Sequence, residues 1–153
     1  MTLASVRRAT TYALAPGRQG EPVLTVRQPW ASAIFNAGKD IENRVWATDY
    51  RGRLWIHSGL ATARAEPDRW ADQHRLWVPP EPLPRSVIIG SVDLVDIVRN
   101  STSPWALPRH YHWILRRPML LLRPVKWKGS LGLTFIRPPQ GATRPARRSR
   151  RSY

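Results

Sequence analysis

Apolar and polar positions change period several times along the chain, and each change marks an element. Val23 to Arg27 (VLTVR) is β-branched and apolar and stops at Gln28-Pro29, which predicts a first strand. Pro29 suits the first turn of a helix, Trp30, Ala33, Ile34 and Ala37 recur at helical spacing, and Gly38 is placed to end it. A two-turn helix is therefore predicted directly after the first strand. Ile41 to Trp46 reads as a short extended segment, Asp49-Tyr50-Arg51-Gly52 as a turn, and Arg53 to Ser58 alternates as a strand. Residues 60–77 are helix-prone, with a regular part from Pro67 and with Trp70 and Trp77 on its buried face, before a Pro-rich connector from Val78 to Pro84.

The second half is richer in strands. Val87 to Val98 is one long β-prone run with Gly90 as a bulge candidate, and Ser103-Pro104-Trp105 predicts a helical turn with Ser103 as its cap. Three further strands follow at His110 to Leu115, Met119 to Lys126 and Leu133 to Ile136, the last two separated by Trp127-Lys128-Gly129-Ser130. About six strands and two helices predict an α+β fold in which a small sheet curls into a closed or partly open β-barrel with the helices at its periphery. Residues 1–21 and 138–153 lack periodicity and are predicted as disordered arms around a folded domain at 22–137.

Composition narrows the function classes. The absence of cysteine excludes disulfide frameworks, zinc ribbons and a cysteine nucleophile. The longest aliphatic stretch, Met119 to Leu122, is far below the ~20 apolar residues of a membrane span. No apolar run backs Arg7 and Arg8 as a secretory signal would require, so a cytoplasmic protein is expected. No P-loop, dinucleotide fingerprint or HExxH helix is present. The 25 Lys+Arg against 10 Asp+Glu give +15, and nine of those excess charges lie in residues 1–20 and 137–153, six of them from Arg137 to Arg151. Clustered positive charge suits a polyanion, because each neutralised phosphate releases a counterion; it equally suits a solubilising tail with no target.

The stretch Leu24 to Gly59 holds the chemistry. Arg27-Gln28-Pro29-Trp30 follows the first strand, Gly38-Lys39 precedes Glu42-Asn43-Arg44, and Tyr50-Arg51-Gly52 leads to a strand ending His57-Ser58-Gly59. With Ile89-Gly90-Ser91-Val92, Trp113-Ile114-Leu115 and Lys128-Gly129-Ser130-Leu131-Gly132-Leu133 further on, this pattern resembles the ASCH domain, a family with a PUA-like β-barrel. The resemblance covers roughly residues 22–137. It implies a cleft between the first helix and the barrel, faced by the Gly38-to-Arg44 segment, and relatives that handle RNA or single, often modified, nucleobases.

Read from the residues, Glu42 and Arg44 share one face if their segment is extended, with Lys39 approaching from the helix end. The triplet could clasp a phosphate and a base edge, or Glu42 could simply pair with Lys39 or Arg44 and lock the fold. Trp30, Trp46 and Tyr50, interleaved with Arg27, Arg44 and Arg51, have the composition of a stacking platform for single strands, whereas Trp55, Trp70, Trp105 and Trp113 are assigned to packing. The expected nucleic-acid contacts are these six residues with Gln28, Lys39, Glu42, Lys128 and the tail arginines Arg147, Arg148, Arg150 and Arg151. Gly129 and Gly132 either turn the chain or let backbone approach a ligand near Lys128. The partner expected is RNA or another single-stranded nucleic acid, with a larger ribonucleoprotein as a further possibility, and no cofactor is expected.

A small hydrolase, either a ribonuclease or an N4-acylcytidine amidohydrolase, is the alternative that the resemblance raises. Lys39 falls where such an enzyme's lysine would be, but Glu42 stands at the expected threonine and the separate catalytic glutamate is not identifiable. Acidic neighbours also oppose the lowered pKa that a reactive lysine needs. Lys39, Glu42, Arg44 and His57 are the residues that catalysis would use. His110 and His112 alternate as metal ligands can, without a third ligand, so no metal is expected.

Overall fold

A computed structural model describes residues 20–62 and 81–146. The order is β1 (Glu21–Gln28), α1 (Trp30–Asn36), β2 (Ile41–Arg44), β3 (Gly52–Thr62), β4 (Val87–Val98), β5 (Tyr111–Lys126), β6 (Leu133–Ile136) and β7 (Thr143–Pro145). The strands form one sheet in the order β2-β5-β4-β3-β1-β6, with β7 added along β5. β1 and β3 are parallel and every other pair is antiparallel. The path does not close, so the result is an α+β fold with a partly open barrel.

Both sides of the central strands are buried: β1 reads accordingly as a nearly continuous apolar run, and β3, read as alternating, is buried at every position from Leu54 to Gly59. Leu24 and Val26 of β1, Leu54 and Ile56 of β3, Val92 and Leu94 of β4, and Trp113 and Leu115 of β5 enclose Ile34 and Phe35 of α1. A second cluster on the other side joins Val23, Trp55, Ile88, Leu121 and Ile136. Trp55, Trp105 and Trp113 are core residues, as their sequence context predicts. Gln28, fully buried, fixes the start of α1: its Oε1 accepts the Ser32 N–H at 3.0 Å, and its Nε2 donates to Ser32 Oγ at 2.9 Å and to the Pro84 carbonyl at 2.7 Å.

Several expectations need correction. The strands predicted at 110–115 and 119–126 are one strand, β5, because Pro118 sits at a bulge: Ser91↔Met119 and Asp93↔Arg116 give β5 one residue more than β4 between the same rungs, and Arg117 takes φ 47° there. Gly90 flanks register shifts toward both β3 and β5, as its sequence position suggested. The helix expected from residue 60 cannot begin there, since Leu60 to Thr62 extend β3 and Thr62 pairs with Gln28. The rest of that stretch, with Trp70 and Trp77, lies outside the described residues, so α1 is the helix among those described. Among the described residues seven strands stand against the expected six: the merger into β5 removes one, while the extended segment at Ile41–Arg44 pairs as β2 and β7 forms at 143–145 within the segment read as a tail, pairing with Met119 to Leu121. Among the described residues no helix is long and apolar enough to cross a membrane.

Candidate functional site

The chain between α1 and β2 sets the site. Gly38, at φ +69°, turns the backbone so that the Lys39 N–H reaches the Ala33 carbonyl at 3.2 Å, and β2 then starts immediately. In β2 the side chains of Glu42 and Arg44 fall on one face, opposite Trp113 and Tyr111 of β5. Lys39 is 3% exposed and Glu42 7%. Lys39 Nζ donates to Glu42 Oε2 and to the Ile41 carbonyl, both at 2.6 Å. Arg44 Nη2 stands 3.1 Å from Glu42 Oε1 and donates to the Thr25 carbonyl at 2.8 Å. Both carboxylate oxygens therefore face a cation. Burial pushes the Glu42 pKa up, but the Lys39 and Arg44 charges and their hydrogen bonds outweigh it, so the carboxyl titrates below its ordinary value.

This triplet floors a cleft of about 590 Å³, within the ~300–1,000 Å³ usual for small-ligand sites. Six residues expected from sequence line it: Arg27, Trp30, Lys39, Glu42, Arg44 and Trp46. Trp46 meets Trp113 edge to face at 4.8 Å, so the core braces its ring. Arg27 is exposed at the end of β1.

Four expected residues lie elsewhere. Gln28 holds the helix start. Tyr50 donates its hydroxyl to the Arg53 carbonyl at 2.6 Å and packs edge to face with Phe135; burial, then the Glu21 charge, raises its pKa to about 12. Arg51 is committed to the Thr48 and Tyr50 carbonyls at 2.9 Å and to Asp96 at 3.6 Å. Lys128 does not line the cleft. The tail arginines Arg147, Arg148, Arg150 and Arg151 lie outside the described residues.

His57 sits behind the cleft, almost fully buried, rather than in it. Its Nε2 is 2.8 Å from the Trp127 carbonyl, which can only accept, so Nε2 carries the proton and Nδ1 takes the Thr25 hydroxyl proton at 3.1 Å. Burial lowers its pKa, partly opposed by the bond to Trp127, and keeps the ring neutral at neutral pH. A Cβ on Gly129 would stand 3.0 Å from both this ring and the Thr25 hydroxyl oxygen. The close approach that this glycine permits is therefore to His57 and Thr25.

Thr25, Val26, Asn43, Leu107, Ser130 and Leu131, which sequence reasoning did not single out as site residues, complete the lining together with His110, weighed there only as a metal ligand, and Gly132, weighed there as a turn or a point of close ligand approach. Asn43 lay inside the recognised motif and could have been found there. It donates to the Trp105 carbonyl and accepts the Leu107 N–H, both at 2.9 Å, and so carries the 105–107 turn to the cleft rim. Ser103 accepts the Trp105 N–H at 3.2 Å, the cap role that its sequence position predicts. Leu107 arrives through these long-range bonds, which no local pattern reveals. His112 is buried with both ring nitrogens bonded, to the Leu107 carbonyl and the Ser101 N–H, and His110 bonds the Pro108 carbonyl ahead of β5. The two do not alternate along one strand.

A small β-rich domain with, among the described residues, one short helix and a charged, tryptophan-flanked cleft at the β1–α1–β2 corner is the class that this geometry defines. Residues 24–115 match the ASCH domain, and the chain belongs to that family. Among curated proteins it is similar to Activating signal cointegrator 1 of Homo sapiens, 36% identical over 89 residues, and to the same-named protein of Mus musculus, 35% over 86. Each match covers 52% of this chain and 15% of the relative, so the chain spans only about 15% of the length of the curated relatives it matches.

Proposed function

We propose that the domain binds RNA or another single-stranded nucleic acid and holds one base or nucleotide in the cleft between α1 and the barrel. The observation that carries this reading is the convergence of two indoles, Trp30 and Trp46, with two guanidiniums, Arg27 and Arg44, around one cleft. Aromatic faces stack bases without regard to sequence, and guanidiniums meet phosphate oxygens. The family's PUA-like fold, often linked to RNA binding, supports the same reading. The arginine-rich arms would grip backbone phosphates beyond the cleft. Binding of a short single-stranded RNA, followed from low to moderate salt, tests it: affinity should fall steeply as salt rises, and absent or salt-indifferent binding refutes it.

The hydrolase alternative finds less support in the same geometry. The Lys39 ammonium is committed to Glu42 and a carbonyl, and a nucleophilic amine needs the opposite surroundings. Incubation with labelled RNA and with N4-acetylcytidine separates the two readings. Turnover lost in Lys39→Ala would establish an enzyme.

A further inference from the structure

The polar atoms that the cleft leaves unused differ in kind from those it has already spent. Glu42, its one carboxylate, meets a cation at each oxygen, at 2.6 Å and 3.1 Å. Asn43 spends its amide on Trp105 and its carbonyl on Leu107. The Thr25 hydroxyl is taken by His57 and the Ser130 N–H, and the Ser130 hydroxyl is taken by Thr134. What remains is mostly donors. Among the described residues Arg44 keeps Nη1 without a partner and its buried Nε without an acceptor, an arrangement that is normally destabilising. The Arg27 guanidinium, on the same cleft at an exposed position, makes no hydrogen bond or ion pair to any described residue. Lys39, Arg44 and Arg27 against Glu42 leave the cleft with two net positive charges.

A base edge presents donors and acceptors together, and a pocket that reads it must offer both. A phosphate presents acceptors and negative charge only, which matches a surplus of guanidinium donors whose one carboxylate is already neutralised. Resting on the nucleic-acid reading above, we propose that this cleft anchors its ligand by a phosphate, held by Arg44 and Arg27, while the attached base stacks on Trp30 or Trp46 without being read along its edge. The ligand class is thus a nucleotide and not a nucleoside or free base. The phosphate could be a diester within a strand or a terminal monoester, and the chemistry is common to both.

The test uses the full chain, with the indole N–H resonances of Trp30 and Trp46 as reporters and that of Trp55, which belongs to the second cluster and donates to Glu21, as the control. Adenosine, its 5′- and 3′-monophosphates, inorganic phosphate and a short single-stranded RNA with a 5′-hydroxyl or a 5′-phosphate are each titrated. The monophosphates should bind at least about tenfold more tightly than adenosine, and inorganic phosphate should displace them. Arg27→Ala, a change at an exposed position, should shrink the difference between nucleotide and nucleoside; Arg44→Lys, which keeps the charge but loses the fork, should shrink it further. A 5′-phosphate that strengthens RNA binding marks a terminal monoester as the anchored group, and equal binding of the two RNAs marks a diester. If the RNA binds but adenosine matches its monophosphates and phosphate does not compete, the phosphate anchor is overturned while the nucleic-acid reading stands. If monophosphates bind as expected and RNA does not, the anchor stands and the nucleic-acid reading falls.

Discussion

Lys39 Nζ lies 2.6 Å from Glu42 Oε2, and both side chains are almost wholly withdrawn from water. Arg44 holds the other carboxylate oxygen, so the pair is one edge of a closed network joining the end of α1 to β2 and β1. Breaking a buried pair by removing one partner strands the other charge, at a cost of ~3–5 kcal/mol. Glu42→Gln should therefore lower the melting temperature by roughly 6–20 °C, at ~2–4 °C per kcal/mol for a domain of this size. Because both oxygens are already engaged, it should not change the preference among bases. Thermal unfolding beside nucleotide titration checks both halves, and an unchanged melting temperature with altered base preference would return Glu42 to the role of reader.

Two depressed pKa values give acid unfolding a two-step form. His57 is held below its ordinary 6.5 by burial, so its stabilising effect is complete above pH 6.5 and is lost as pH falls from there through its folded value. Glu42 is held below 4.5 by Lys39 and Arg44 against the opposing effect of burial, so its contribution is lost lower, as pH falls from about 4.5 through its folded value. Chemical denaturation at successive pH values should show stability declining first below 6.5 and again below 4.5. His57→Gln should remove the first decline and Glu42→Gln the second, whatever each costs at neutral pH.

The part of the fold that was legible in sequence is the part in which local pattern and tertiary demand agree. Val23 to Arg27, Ala33 with Ile34, and Val87 to Val98 carry their structure in side-chain period, and Gly38 and Gly90 mark a turn and a bulge. Lys39, Glu42 and Arg44 were found together because a helix end and a two-residue strand period fix their meeting. The misses have one cause, which is that pairing partners distant in sequence overrode local signals. Pro118 is tolerated inside β5 because a bulge against β4 absorbs it, and Leu60 to Thr62 stay extended because β1 pairs with them. Leu107 reaches the cleft through Asn43, and Tyr50 and Arg51 leave it because carbonyls and Asp96 claim them.

Gly90 provides a stability test independent of the site. A Cβ there would lie 2.2 Å from the Met119 carbonyl oxygen and 2.8 Å from Phe35 Cε1, so the contact between β4, β5 and α1 would have to open. Overpacking of this kind typically costs ~1–3 kcal/mol. Gly90→Ala should lower the denaturation midpoint accordingly. Gly132→Ala meets nothing within 4 Å, so any loss there arises only from its φ of +66°. Parallel denaturation of the two variants distinguishes crowding from backbone strain, and equal losses would contradict the packing described at Gly90.

Charges that attract and rings that stack should separate on mutation, because phosphate contacts outside the cleft add to the salt dependence and stacking does not. Each single-strand phosphate contact contributes ~0.7 to the slope of log K against log salt. Changing Arg147, Arg148, Arg150 and Arg151 to alanine together should therefore flatten that slope by up to about 3 and leave the preference for nucleotide over nucleoside as it was. Trp30→Ala should weaken RNA binding by ~1–3 kcal/mol with the slope nearly unaltered. Trp46→Ala should do the same and also cost stability, since its ring meets Trp113 edge to face at 4.8 Å and such aromatic pairs contribute ~0.5–1.5 kcal/mol. Titrations at three salt concentrations, paired with thermal unfolding of each variant, read all three effects. A tail variant that keeps the full slope would place the phosphate contacts on the barrel, and a Trp30 variant that keeps full affinity would remove that indole from the site.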